Sequence, residues 1–227
     1  GAVIVPTSGH PRFNTFYMAL SELAVPAGTR LHMSASSDVC LNMNILMEEA
    51  KDSPWVFILG DDHVFESDTL LRLLKWDLPA VVGLNVQRLP PYWPVVLQGA
   101  PGPGLKNLTW DDVPRGKGLW YPPKDVYAGN AGLLVRREVF TRIDKPYFQA
   151  GRFDPGIVNE DIYLMHSLRQ SGVNVPIDMS VVLGHSANLT AVPVLTDDGW
   201  KVDFYYSRGK HAFRVTPQAA RETPATW

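Results

Sequence analysis

The stretch WVFILGDDHVFESD, Trp55 to Asp68, decides how the rest of the chain is read. Its first five residues, Trp55 to Leu59, are apolar and form a strand that belongs in the middle of a sheet. The run stops at Gly60 and delivers two aspartates and a histidine, Asp61, Asp62 and His63. In open α/β sheets ligands bind beyond the carboxyl ends of the strands, so acids at that position mark a site. Side-chain alternation along the extended chain turns Asp61 and His63 to one side and Asp62 to the other, and a carboxylate with an imidazole on one side can grip one cation. Taken alone, an Asp-Asp pair more often forms a solvated turn whose second member caps the next element. The choice depends on the neighbouring residues.

Upstream lie two strand-to-helix units. AVIVP runs through TSGHPRFN into FYMALSEL, and RLHMSA runs into SSDVCLNMNILMEEAKD. The second helix carries Val39, Met43, Leu46 and Met47 at helical spacing, with Ser37 or Asp38 placed to cap it. Downstream, a helix over 67–75 precedes the apolar strand AVVGLNV. This alternation predicts an α/β fold with a mostly parallel central sheet and helices on both faces. From Gln87 the composition shifts to QRLPPYWPVVLQGAPGPGLKNLTWDDVPRGKGLWYPPKD, a long loop rich in Pro, Gly and Trp. Its aromatic rings either stack on a ligand or pin the loop to the core. Then come the turn and strand VYAGNAGLLVRREVF, the helix NEDIYLMHSLRQSG capped by Asn159 and stopped at Gly172, and a last strand, VVLGHSA, with His185. The expected organisation is one domain over 1–214, with halves at 1–86 and 87–214, and a loose tail at 215–227.

Composition narrows the function. With 227 residues, 45% apolar and 11% aromatic, the chain can bury one sizeable core. Its 21 basic and 23 acidic side chains leave a formal charge of −2, which excludes general attraction to phosphate polymers. The one local basic patch is SRGKHAFR, with Arg208, Lys210, His211 and Arg214. A lone cysteine, Cys40, excludes an internal disulfide and fits a reducing compartment, so the NLT sequons at Asn107 and Asn188 read as coincidences. No apolar run approaches the ~20 residues needed to cross a bilayer, and no leader pattern precedes the first strand. The expectation is a soluble, cytoplasmic protein of illegible oligomeric state.

Four pieces together resemble the GT-A-fold, nucleotide-sugar-dependent glycosyltransferases, specifically the family-two-like enzymes. They are the first strand ending in Pro6 and Thr7, the segment NILMEEAKDSPWVFILGDDHVFESDTLLRLL, the turn AGNAGLLVRREVF, and NEDIYLMHSLRQSG followed by His185. The resemblance implies a single GT-A-like (Rossmann-like) domain. In that family an Asp-x-Asp motif at the third strand end holds a divalent metal on the donor diphosphate, and a late histidine completes the metal site. Two registers are open here. In one, Gly60 replaces the first acid and Asp62 is the principal ligand; in the other the motif is Asp61-x-His63. Asp61 then lies on metal or ribose, and His185 is the final ligand. The resemblance further implies Mn²⁺ or Mg²⁺ as cofactor, and Pro6, Thr7, Ser36, Asp38 and Asn44 beside the nucleotide. Asp161 is the general base, with Glu160 beside it, and the outcome is inversion. Arg136 or Arg137 would approach phosphate.

Each residue also has a plainer role: Glu160 and Asp161 can merely complement a helix dipole, and His185 can be structural. The implied reaction is transfer of a hexosyl or pentosyl group from a nucleotide-diphosphate sugar to an acceptor hydroxyl. Rival readings are a metal-dependent phosphohydrolase or nucleotidyltransferase, and a sugar-nucleotide-binding module without turnover. The acceptor is a glycan, a lipid-linked saccharide or a small molecule. A modified base in DNA has least support, because a few tail charges bind phosphate only weakly.

Overall fold

The computed structural model describes residues 1–7, 13–89, 91–101, 104–153, 156–206 and 211–215. They fall into two compact units, Gly1–Ser186 and Ala187–Trp227. Of the tail expected over 215–227, Val215 ends a strand and residues 216–227 lie outside the described residues, as do His10, Arg208 and Lys210.

The first unit begins with β1 (Ala2–Thr7), α1 (Asn14–Glu22), β2 (Arg30–Ala35), α2 (Val39–Glu49) and β3 (Trp55–Ile58). After β3 the chain turns and forms the two-residue β4 (His63–Val64), then α3 (Thr69–Leu74) and β5 (Ala80–Asn85). The segment expected as a long loop contains β6 (Val96–Gln98), β7 (Lys106–Asn107) and β8 (Leu119–Trp120). It leads into β9 (Val126–Ala128), β10 (Leu133–Arg136) and a 3-10 helix at Arg137–Arg142. The unit closes with β11 (Gly151–Phe153), β12 (Gly156–Val158), α4 (Glu160–Gln170) and β13 (Ile177–His185).

The main sheet has the order β2-β1-β3-β10-β5-β13-β4, with β8 also paired to β13. β1 is parallel to β2 and β3, and β13 is parallel to β5. Between these blocks β10 runs antiparallel to both β3 and β5. The mostly parallel sheet is therefore present, with one reversed strand near its centre.

Period-two alternation assigns each apolar residue to a face. Ala2, Ile4, Val56, Ile58, Leu133 and Val135 pack with Met43, Leu46 and Met47 of α2 and Ile162, Met165 and Leu168 of α4. Their neighbours Val3, Val5, Phe57, Leu59 and Leu134 pack with Phe16 and Ala19 of α1 and Leu70 and Leu73 of α3. Both faces are thus covered by helices, which is why β3 and β5 read as continuous apolar runs. Among the described residues, no helix is long and apolar enough to cross a membrane.

The second unit holds an antiparallel sheet of β14 (Leu189–Thr196), β15 (Gly199–Tyr206) and β16 (His211–Val215). Its buried Asp203 accepts from Arg214 through Nη2 at 2.7 Å and through Nε. His211 Nε2 lies 3.5 Å from the same carboxylate. Two members of the expected basic patch are therefore engaged inside their own sheet.

Candidate functional site

β3 ends at Ile58, and the chain leaves the extended conformation through a turn at Asp61 and Asp62, closed by a bond from His63 N–H to Gly60 O at 3.3 Å. This turn corrects the alternation argument: once the backbone bends, Asp61 and His63 no longer share a side by periodicity. The group that could hold a cation takes one residue from each register, together with His185. Asp62, His63 and His185 bring one ligand atom each to within 4.8 Å of one another.

Strand pairing produces the cluster. β4 lies antiparallel to the end of β13 with His63 opposite His185, and the two rings stack at 4.4 Å between centroids. Asp62 reaches both, with Oδ1 3.0 Å from His63 Nδ1 and Oδ2 3.2 Å from His185 Nε2. Asp61, Asp62 and His63 are only 4%, 7% and 7% exposed. Burial opposes ionisation of Asp62, but hydrogen bonds and charge from His185 and His63 outweigh it and hold the carboxyl well below the usual carboxylate range.

Gly60, where the family pattern carries an acid, makes this geometry possible. A Cβ there would stand 2.7 Å from His63 Nδ1 and 3.1 Å from Asp62 Oδ1. The position is small because the imidazole occupies the space, so His63 fills the place the missing acid leaves.

The donor set fits a divalent cation. His185 Nδ1 is 3.1 Å from the Val86 carbonyl, which can only accept. With Nδ1–H given to that carbonyl, Nε2 is the nitrogen left to meet Asp62 Oδ2, donating to it across 3.2 Å here and able to face a cation once that proton is lost, an outer-shell arrangement of the kind that orients a metal-ligating imidazole. Two imidazoles and a carboxylate suit Mn²⁺ better than Mg²⁺, which favours oxygen.

The start of α4 lines the same cleft as these residues. Asn159 occupies the N-cap position, but its side chain makes no capping bond; Asp161 Oδ1 instead accepts from Ile162 N–H at 2.7 Å. Burial pushes the Asp161 pKa up to about 6, with the Glu160 charge adding to the rise, although the side chain keeps some contact with the cleft. Its Oδ2 faces Gly129, where an added Cβ would lie 3.8 Å from that oxygen and 2.9 Å from Val95 Cγ1. A side chain at 129 would wall the carboxylate off.

All of these groups line one cleft of about 530 Å³. Of the residues singled out from the sequence it includes Pro6, Thr7, Ser36, Asp61, Asp62, His63, Glu160, Asp161 and His185. It does not include Asp38 or Asn44. Asp38 caps α2 by accepting from Leu41 N–H at 3.0 Å. Asn44 ties α2 to the 147–148 segment, donating to Phe148 O at 2.7 Å and accepting from Tyr147 N–H at 2.9 Å. Arg136 and Arg137 lie at the other end of the sheet: because β10 is antiparallel, Leu133 sits beside Ile58 near the cleft and Arg136 beside Trp55.

Sequence reading missed Asn42, Asn85 and Arg88, all of which line the cleft. Arg88 matters most, since its Nη2 lies 3.1 Å from Asp62 Oδ2. The available signal was its place just after the buried strand AVVGLN, at a carboxyl end.

No family model and no curated protein matches the sequence. Solved structures do resemble it. A197 from STIV is 16% identical with a TM-score of 0.55, the match covering 95% of this chain and 97% of that one. GalNAc-T7, crystallised with UDP, GalNAc and Mn²⁺, is 11% identical with a TM-score of 0.56 over 81% of this chain. The match spans 43% of the GalNAc-T7 chain. Together with the sheet order and the helices on both faces, these likenesses establish that the chain has a GT-A-like α/β fold.

Proposed function

We infer that the protein is a metal-assisted, inverting glycosyltransferase that moves a hexosyl or pentosyl group from a nucleotide-diphosphate sugar to an acceptor hydroxyl. The observation that carries this reading is one cleft lined both by a carboxylate and two imidazoles within reach of one ion and by a second carboxylate of raised pKa. The presence of UDP, GalNAc and Mn²⁺ in GalNAc-T7, which shares the fold, supports it.

Pro6, Thr7 and Ser36, at the ends of β1 and β2, contact base and ribose, and Asp61 reaches ribose or the metal shell. Asp62, His63 and His185 hold Mn²⁺ or Mg²⁺. When bound, the cation offsets charge on the diphosphate as the sugar–phosphate bond breaks. Asp161 accepts the proton of the acceptor hydroxyl as its oxygen bonds to the anomeric carbon, and the electron pair of the breaking bond stays on the leaving diphosphate. A carboxylate titrating near 6 is ionised at neutral pH and a stronger base than an ordinary aspartate. Burial first, and the Glu160 charge second, keep that pKa high. The acceptor is a glycan, a lipid-linked saccharide or a small molecule.

The test is a thermal-shift panel of UDP-, GDP-, CDP- and dTDP-sugars with and without Mn²⁺, followed by product analysis with whichever donor binds. One nucleotide class should raise Tm in a Mn²⁺-dependent way and yield nucleoside diphosphate together with a glycosylated product. Release of phosphate or pyrophosphate would favour phosphoryl chemistry instead. No shift with any nucleotide would contradict donor binding.

A further inference from the structure

Arg88 stands where it conflicts with a metal and suits a diphosphate. Among the described residues lining the cleft it is the sole Arg or Lys, in a lining that holds the four acids Asp61, Asp62, Glu160 and Asp161. Its Nη2 lies 3.1 Å from Asp62 Oδ2, the same oxygen that faces His185 Nε2 at 3.2 Å. A divalent cation held by that oxygen and that imidazole is brought close to the guanidinium, where two positive charges repel strongly. The guanidinium has to leave, and its surroundings permit this: the Arg88 side chain is 37% exposed, against 9% for that of Asp62.

Its backbone, in contrast, is fixed. The neck of its loop is closed by Val95 N–H to Asn85 O at 2.9 Å and Gln87 N–H to Trp93 O at 2.8 Å. Val86, two residues before Arg88, supplies the carbonyl that orients His185. One short segment therefore sets both the metal-facing imidazole and the competing guanidinium. A cation arriving with a nucleotide brings the diphosphate charge that the displaced guanidinium can bind, in bidentate fashion where its planar fork allows.

We propose that Arg88 is an exchangeable counter-cation: it pairs with Asp62 while the metal is away, and moves to the donor diphosphate when metal and nucleotide enter together, positioning the leaving group. This rests on the glycosyltransferase reading of the cleft. It implies that Arg88 opposes binding of bare metal and favours binding of metal with nucleotide, an ordering that neither a structural nor a bystander arginine would give.

The test measures Mn²⁺ binding by electron paramagnetic resonance, first alone and then with UDP, GDP, CDP and dTDP in turn, on wild type and on Arg88→Ala, Arg88→Gln and Arg88→Lys. The Gln variant retains bulk and controls for loss of packing. In the Ala and Gln variants, Mn²⁺ alone should bind about tenfold tighter, as expected for removal of one like charge from a partly exposed site. The Mn²⁺–nucleoside diphosphate pair should bind at least about tenfold more weakly, with partial recovery in the Lys variant. Weakening of both, or a change in neither, overturns the proposal. If wild type binds Mn²⁺ but no nucleoside diphosphate, the glycosyltransferase reading falls and this proposal falls with it. If wild type binds the pair and Arg88→Ala matches it, only the role of Arg88 is overturned.

Discussion

Asp161 is the residue whose two properties, poor solvation and proximity to Glu160, bear on both stability and chemistry. Its folded pKa of about 6 lies above the ordinary 3.8, so the folded protein favours the protonated form. Linkage sets the sign: the carboxyl leaves the fold undisturbed below the unfolded value, and stability is lost as pH rises through about 6. Asp161→Asn should therefore stabilise the protein by up to about 3 kcal/mol at about pH 8 and by little at about pH 4, read by denaturant unfolding. The same variant should bind donor normally and fail to transfer sugar, while wild-type transfer rises with pH through about 6. A parallel loss of donor binding would make Asp161 structural. Gly60 tests the imidazole cluster. Gly60→Ala places a Cβ 2.7 Å from His63 Nδ1, so the imidazole must move, and Mn²⁺ affinity should fall by about tenfold or more. Unchanged affinity would remove His63 from the ligand set.

At the scale of elements, the end of β13 delivers His185, and a buried anchor fixes where that end lies. Asp178, 1% exposed, accepts from Trp76 Nε1 at 2.7 Å, Ser180 N–H at 2.8 Å and Ser180 Oγ at 2.6 Å. The strand register shifts between Asp178 and Val182. Asp178→Ala strands three donors around a buried hole and should cost about 2–4 kcal/mol in urea unfolding. It should also weaken Mn²⁺ binding by displacing His185; a loss of stability with intact binding would show that the bulge does not set the site. The elements that sequence revealed are those in which a local signal and tertiary packing agree. β1, β3 and β5 are apolar runs, β13 contains the apolar stretch VVL, and α2 and α4 carry apolar residues at helical spacing. The reversed direction of β10 was not legible, because LLVR reads the same in either sense, and that reversal carried Arg136 and Arg137 away from the cleft. β14 to β16 were missed although LTAVPVLT and GWKVDFYY flank an Asp-Asp at the turn, a hairpin signal in plain view.

Over the whole molecule, the cleft draws together residues from Pro6 to His185, and only the sheet makes them neighbours. Sequence supplied nine of the lining residues as site candidates, because strand ends in an α/β fold can be placed from apolar runs. It could not supply Arg88, whose meaning depends on a 3.1 Å approach to Asp62, or show that Asp38 caps α2 while Asn44 ties that helix to residues 147 and 148. Nor could it explain Gly60, which looks like a lost ligand until the ring of His63 is seen in its place. The account rests on the cation site at the end of β3, and the most direct measurement is an anomalous difference map from crystals grown with Mn²⁺ and the nucleoside diphosphate selected by the thermal-shift panel. One strong peak bonded to Asp62 and His185 is expected, with His63 and a diphosphate oxygen completing the shell and Arg88 turned onto the diphosphate. A peak elsewhere, or nucleotide bound with no ion at Asp62, would contradict it.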